Sequence, residues 1–282
     1  MQLALDTAQL YIPDNAAETE ALARTTHLGI AAHQDDLEIM AFEGILACFQ
    51  RPDRWFTGVI VTNGAGSARA GVYADYTDEA MVSVRRVEQK KAAFVGEYAA
   101  QFLLDHGSGA VKDASSTVVV EDLVRILEAT KPDCVYTHNL ADKHDTHVGV
   151  TLKLVEALRR AKGVNVKKLY GCEVWRDLDW MIDDDKVAFD TSAHENLQAA
   201  LLGVFDSQIA GGKRYDLATL GRRRANATYH ASHGVDESTG TIFAMDLTPL
   251  VTDPGLDPLD YVQAYVGRFA EEVTARFGKL RG

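Results

Sequence analysis

The run Leu28-Gly29-Ile30-Ala31-Ala32-His33-Gln34-Asp35-Asp36 decides how this chain is read. Leu28 to Ala32 is a short apolar stretch of strand length, and it stops abruptly at a cluster of titratable groups. Asp36 to Phe49 then reads as a helix. A strand that delivers polar residues straight into a helix start is the unit from which parallel sheets are built, because parallel neighbours need a crossover.

The same alternation continues outward. Phe56 to Thr62 is a second strand, rich in β-branched residues. A polar, glycine-rich loop runs from Asn63 to about Asp78, and a helix follows through Tyr98. Gln101 to Leu104 is a third strand. Val120, Leu123, Val124 and Leu127 fall on one helical face, which Lys131-Pro132-Asp133 terminates before a strand at Cys134 to Thr137. Val148, Leu152, Val155 and Leu158 mark another helix, before a strand near Leu169 to Val174. The expected class is α/β: a Rossmann-like, mainly parallel sheet flanked by helices, with a less regular C-terminal portion. There, Leu197 to Phe205 reads as a helix and Thr241 to Asp246 as a strand. Val262, Val266, Phe269, Val273 and Phe277 stripe a final helix that packs on the core or forms an oligomer contact. Residues 1–25 read as an N-terminal extension and 26–282 as one domain.

Composition narrows the function classes. The 282 residues are 46% hydrophobic and 25% charged, in line with a globular chain that needs no staple. The net charge of −12 disfavours nucleic acid and anionic membrane as partners. Cys48, Cys134 and Cys172 are odd in number and form no CxxC pair, so a disulfide framework and a thiolate metal site are not expected. No secretory signal or membrane-length apolar run is seen, and the expectation is a cytoplasmic protein.

Four of the nine histidines lie in two clusters with carboxylates. One is His33-Gln34-Asp35-Asp36; the other runs from His138 through Asp142 and His144 to His147. In an open α/β sheet the carboxyl ends of parallel strands share one edge, so both clusters are expected at one crevice. A histidine and a carboxylate from one loop with a histidine from the other suit zinc, with a fourth position for water. A second carboxylate beside the ligand could act as general base, and Asp35-Asp36 supplies both. Alternatively, the Asp pair caps the following helix.

The pattern Ala32-His33-x-Asp35-Asp36 with Asp142-x-His144-x-x-His147 resembles the paired signature of the zinc-dependent N-deacetylases called PIG-L-like or LmbE-like. Arg85-x-x-Glu88 with Ala92-Ala93 and Gly96, Pro132-Asp133, and Ser207-Gln208 also fit, so the resemblance covers roughly residues 26–210. It implies that His33, Asp36 and His147 are metal ligands and that Asp35 is the general base. It further implies that His144 stabilises the oxyanion or protonates the leaving amine, and that Arg85 reaches the sugar or orders the site through Glu88. The implied cofactor is Zn2+, with Fe2+ as the alternative ion, and the implied substrate is a small N-acetyl amino sugar or its conjugate, which would release acetate. Two positions depart from the family pattern. Gln34 stands for the commoner Pro, and Thr146 for the Asp that partners the catalytic histidine, a role left to Asp142 or Asp145.

Other features carry weaker expectations. The loop with Arg69 lacks the third glycine of a dinucleotide motif and reads as a substrate-binding loop or a plain surface loop. Asp105 binds sugar hydroxyls or caps a turn. Arg222-Arg223-Arg224 reads as a solvated helix face rather than an anion grip. Trp175 and Trp180 stack on a sugar or fill the core, and His230 and His233 lie on a surface turn or close the site. Two rival readings use the same residues: a non-haem iron oxygenase with His33, Asp35 and His147 as ligands, and a sugar-binding protein without turnover.

Overall fold

The computed structural model describes residues 1–282. Eight strands form one sheet: β1 (Gln9–Tyr11), β2 (His27–Ala31), β3 (Phe56–Thr62), β4 (Ala100–His106), β5 (Cys134–His138), β6 (Lys168–Cys172), β7 (Val187–Asp190) and β8 (Thr241–Asp246). Their spatial order is β1-β4-β3-β2-β5-β6-β8-β7. The five central strands β4-β3-β2-β5-β6 run parallel, while β1, β8 and β7 add antiparallel pairings at the two edges.

The chain starts the parallel block in its middle, at β2. It builds β3 and β4 to one side, then returns to build β5 and β6 on the other. The order therefore reverses between β2 and β5, and a ligand crevice forms outside the carboxyl ends of strands at such a reversal. All seven residues of β3 are buried, as a central strand covered on both faces requires.

The pleat sends alternate residues to two apolar layers. Val59, Val61, Phe102 and Leu104 join the layer under the helices Val118–Thr130 and Asp145–Arg160. Ile60, Leu103 and Tyr136 join the layer under the helices near residues 36–48 and 195–203. Each fully buried Leu or Ile in these layers contributes about 1.5–3 kcal/mol. Gly29 in β2 has no room for a side chain, since a Cβ there would sit 2.7 Å from Leu37 and 2.6 Å from Phe56. That close approach seats the segment after β2 directly on the sheet.

Three features depart from the sequence reading. Gln9–Tyr11, within the expected extension, is a strand on the edge of the same sheet. Val187–Asp190 is a further edge strand, paired with β8. The expected helix from Asp36 to Phe49 is two helices, Asp36–Met40 and Phe42–Cys48, bent at Ala41. The cause is Arg223, whose Nη2 donates to the carbonyls of Glu38 (2.8 Å) and Ile39 (3.0 Å). In a straight helix those carbonyls would accept from Phe42 and Glu43, so the inserted guanidinium opens the ladder and bends it.

Candidate active site

β2 ends at Ala31, and the chain turns sharply through Asp35, which takes the left-handed φ of +89°. A non-glycine residue held there is strained, and such strain persists only where the surroundings over-determine it. The Asp36 carboxylate accepts the His33 backbone N–H at 2.8 Å, which folds the turn back on itself. Asp35 makes no side-chain cap to the helix that follows, so helix capping does not account for the pair.

β5 ends at His138, and its loop is pinned by two short side chains. Asn139 Oδ1 accepts from Ala141 N (2.8 Å), and Asp142 Oδ1 accepts from His144 N (2.9 Å). The helix Asp145–Arg160 then carries His147 in its first turn. The two loops meet across the sheet.

His33 Nδ1 lies 3.2 Å from Asp36 Oδ2 and 3.2 Å from His147 Nε2, and the third side of the triangle, His147 Nε2 to Asp36 Oδ2, is 3.4 Å. Three atoms able to ligate a metal, from two imidazoles and one carboxylate, thus converge on one point. A tetrahedral zinc with bonds of about 2.0–2.1 Å would space its ligands about 3.3–3.4 Å apart. The donor set of His33, Asp36 and His147 and its spacing therefore fit a zinc-sized divalent ion, which these three residues could hold. Behind this group, His147 Nδ1 faces Asp142 Oδ2 at 3.5 Å, the carboxylate support that orients a ligating imidazole.

His138 is stacked on His147, with ring centroids 3.8 Å apart. Its Nε2 accepts from the Ala32 N–H at 2.8 Å, so it braces the site and is not a fourth ligand. The sequence reading quoted His138 without giving it a role.

The two adjacent aspartates are pushed in opposite directions. Burial raises the Asp35 carboxyl well above the usual range, and the neighbouring carboxylates Asp36, Glu38 and Glu88 outlast the opposing pull of Arg85. Burial acts on Asp36 in the same sense, but the surrounding imidazoles His147, His33 and His138 outweigh it and hold its carboxyl well below. Pairs driven apart in this way divide into a permanent anion and a proton acceptor.

Arg85 is buried, as a positioning group would be. Its Nη2 lies 3.4 Å from Asp35 Oδ2, and it also donates to the Gln34 carbonyl and the Ser67 hydroxyl. It does not act through Glu88, which accepts from Ser207 N and Oγ, both at 2.7 Å. His144 stacks on His147 at 4.5 Å and lines the same cavity, but its Nδ1 has no partner. Burial, and then the nearby His147 and His33, lower its pKa. Neither substitute for the family's Asp reaches that ring. Asp142 serves the His144 backbone, Trp175 N and His147, while Asp145 is exposed.

The site opens into a cavity of about 800 Å³. Residues 62–68 form one wall. Trp175, Tyr215 and Arg222 form another, and Lys112 and Lys213 stand at its rim. The Trp175 and Tyr215 rings meet edge to face at 6.0 Å, and the Lys213 ammonium lies 5.2 Å from the indole centroid.

Several expected binding residues lie elsewhere. Arg69 is not on the cavity wall: it donates to the carbonyls of Ala65 (2.5 Å) and Tyr76 (2.9 Å) and pairs with Asp78, which ties its loop together. Asp105 is also off the wall, paired with Arg86 at 2.7 Å. Trp180 packs against the core, and neither His230 nor His233 reaches the cavity. Within the arginine run, only Arg224 is a solvated residue. Arg223 is buried, Arg222 donates to the Val174 carbonyl, and both line the cavity. Thr219 and Arg223, four apart, form a buried polar face that sequence alone does not distinguish from a solvated one. Asp35 points to Arg85 rather than to the ligand triangle, so the His33-Asp35-His147 set of an iron oxygenase is not assembled.

Solved structures share this fold. A 4-carboxy-2-hydroxymuconate hydratase from Pseudomonas putida superposes with a TM-score of 0.61 at 17% identity, over 79% of this chain and 96% of its own. N,N'-diacetylchitobiose deacetylase from Pyrococcus horikoshii gives 0.57 at 15% identity, over 78% and 83%. A deacetylase of the A40926 pseudoaglycone gives 0.55 at 15% identity, over 79% and 98%. At these identities the likeness is one of fold. No curated protein sequence matches the chain. The sequence profile of the PIG-L family, GlcNAc-PI de-N-acetylase, matches residues 28–158, a span that holds both loops of the site, and it bears out the resemblance of this chain to that family.

Proposed function

We propose that this chain is a zinc-dependent N-deacetylase that hydrolyses the acetamide of an N-acetyl amino sugar or its conjugate, releasing acetate and a free amine. The observation that carries the reading is the triangle of His33, Asp36 and His147 donors, with the buried carboxylate of Asp35 beside it. A divalent ion in that triangle would supply Lewis acidity for both the attacking water and the acyl oxygen.

The chain's own groups do the rest. Asp35, made basic by burial and aimed by Arg85, takes the proton of the attacking water. His144, a cavity-lining imidazole, donates to the developing oxyanion or delivers the proton that lets the amine leave. Arg85 is a positioning residue in this scheme. Trp175 and Tyr215 offer flat apolar faces of the kind that stack on a pyranose ring. Lys112 and Lys213 form no ion pair, which favours a conjugate with an anionic substituent near the rim.

The hydratase of the same fold makes addition of water to a carbon–carbon double bond the second reading. Both reactions begin with an activated water, and the products separate them. The zinc-loaded chain is incubated with N-acetylglucosamine, its glycosides and its anionic conjugates, and acetate is measured. Acetate release that Asp35→Asn abolishes supports the deacetylase. No acetate from any of them, with loss of absorbance from unsaturated dicarboxylates, would favour the hydratase.

A further inference from the structure

The helix Pro258–Arg281 starts as part of the domain and then leaves it. Tyr261, Val262 and Tyr265 pack on the first apolar layer, and Arg268 pairs with Asp185. Further along, Val266, Phe269, Val273, Phe277 and Leu280 are 37% to 78% exposed. At 3.6 residues per turn these five side chains share an arc of roughly 80°, a seam about 21 Å long. Scattered surface apolar residues are ordinary, but a continuous seam marks an interaction surface.

The spacings along the seam are 3, 4, 4 and 3, so the pattern reads the same in both directions about Val273. A two-fold axis at Val273 lays Val266 on the partner's Leu280, Phe269 on the partner's Phe277, and Val273 on itself. Glu272 and Arg276 flank the seam on one side and pair with each other within the chain. Under the same reversal Glu272 lies level with the partner's Thr274 and Arg276 with the partner's Ala270, so the Arg276 of each copy comes within two residues of the Glu272 of the other. A parallel pair would instead gather Arg276, Lys279 and Arg281 of both chains at one end and align the two helix dipoles, both unfavourable.

We propose that a second copy of this chain covers the seam, its terminal helix antiparallel to the first about a two-fold axis through Val273. The interface is isologous, as in most homodimers. It lies on a helix that contributes nothing to the catalytic cavity, so it stands or falls independently of the deacetylase reading.

The test is the mass of the full chain in solution from about 1 to 100 µM at 0.15 M salt, where a Debye length of about 8 Å screens the net charge. The expected result is a monomer–dimer equilibrium. Val273→Glu, which sets two carboxylates against each other at the axis, should weaken it at least about 30-fold, as loss of a central contact does. Glu272→Arg and Arg276→Glu should each weaken it, and the double exchange should restore it. Orientation is read by oxidising cysteine variants against the unmodified chain as background. A mixture of Val266→Cys and Leu280→Cys proteins should cross-link, whereas Val266→Cys alone should not. A chain that stays monomeric at 100 µM, a dimer indifferent to Val273→Glu, or self-cross-linking of Val266→Cys would overturn the proposal.

Discussion

The crevice between β2 and β5 and the glycine-rich loop at residues 63–78 both carry charged side chains, yet those side chains are treated in opposite ways. In the loop, Arg69 is met by two carbonyls and Asp78, and beside it Arg86 is met by Asp105. The terminal nitrogens of the Arg69 guanidinium hold the backbone there, and only its Nε is left without a partner. In the crevice, His33, Asp36 and His147 offer three lone-pair donors to one point, and Asp35 Oδ2 and His144 Nδ1 are buried without a hydrogen-bond partner. Buried polar groups are normally satisfied, so two unpartnered atoms beside three converging metal-ligating atoms favour a place for something else to bind. Whether a charged residue works on a ligand or on its own chain is decided by its partners, not by its type.

This contrast is sharpest at the ligand triangle. His147→Ala should abolish turnover, to below about 1% of the parent, because only two donors remain. Acetate release from the metal-loaded protein checks it, and near-parent activity would erase the distinction between the two regions. Asp35→Asn comes next, with a loss of about 10²–10⁴ in kcat while metal stays bound, since a general base and not a ligand is removed. Asp142→Asn removes the carboxylate behind His147 and should lower metal affinity about 10–100-fold, read by competition with a chromogenic chelator.

A buried acid outside the cavity supplies a pH test. Glu38 is held by Tyr98 Oη at 2.7 Å and Gln89 Nε2 at 2.9 Å, and burial raises its pKa from 4.5 to about 7 despite those hydrogen bonds. Between those values the folded chain keeps a proton that the unfolded chain has released, so stability falls as pH rises through that window. Glu38→Gln should flatten that part of the slope, an effect on the order of 3 kcal/mol across the window. Urea unfolding at pH 5 and pH 7.5 measures it, and equal slopes in parent and variant would contradict the assignment. The smallest effect belongs to the loop. Arg69→Ala and Asp105→Ala should leave kcat/KM within about threefold and cost about 1 kcal/mol or less, as for partly exposed pairs. A large rise in KM in either variant would restore them as substrate contacts.

The central architecture was legible because it is local. β2 and β5 each announce themselves as short apolar runs that end in histidine and carboxylate, and a parallel sheet brings such ends to one edge. That placement put a histidine and carboxylates from one loop near histidines from the other, and the choice of His33, Asp36 and His147 as the trio came from the family resemblance. What remained hidden depends on distant partners. The bend at Ala41 is caused by Arg223, far along the chain, and no pattern near residue 41 signals it. Three-residue β1 and four-residue β7 are too short to show a period and exist because a neighbouring edge is there to pair with. The fates of Arg69 and Asp105 turn on Asp78 and Arg86, which periodicity cannot assign. Thr146, in the place of a family carboxylate, leaves the His144 ring without a charged partner, and the nearby aspartates that could have replaced it are committed elsewhere or point outward.

The most direct measurement is elemental analysis of the purified chain and two variants after loading with zinc and removal of free ion. The structure predicts about one zinc per chain in the parent and in Asp35→Asn, and almost none in His147→Ala. Zinc retained equally in His147→Ala, or absent from the parent after reconstitution, would contradict the ligand triangle on which the account rests.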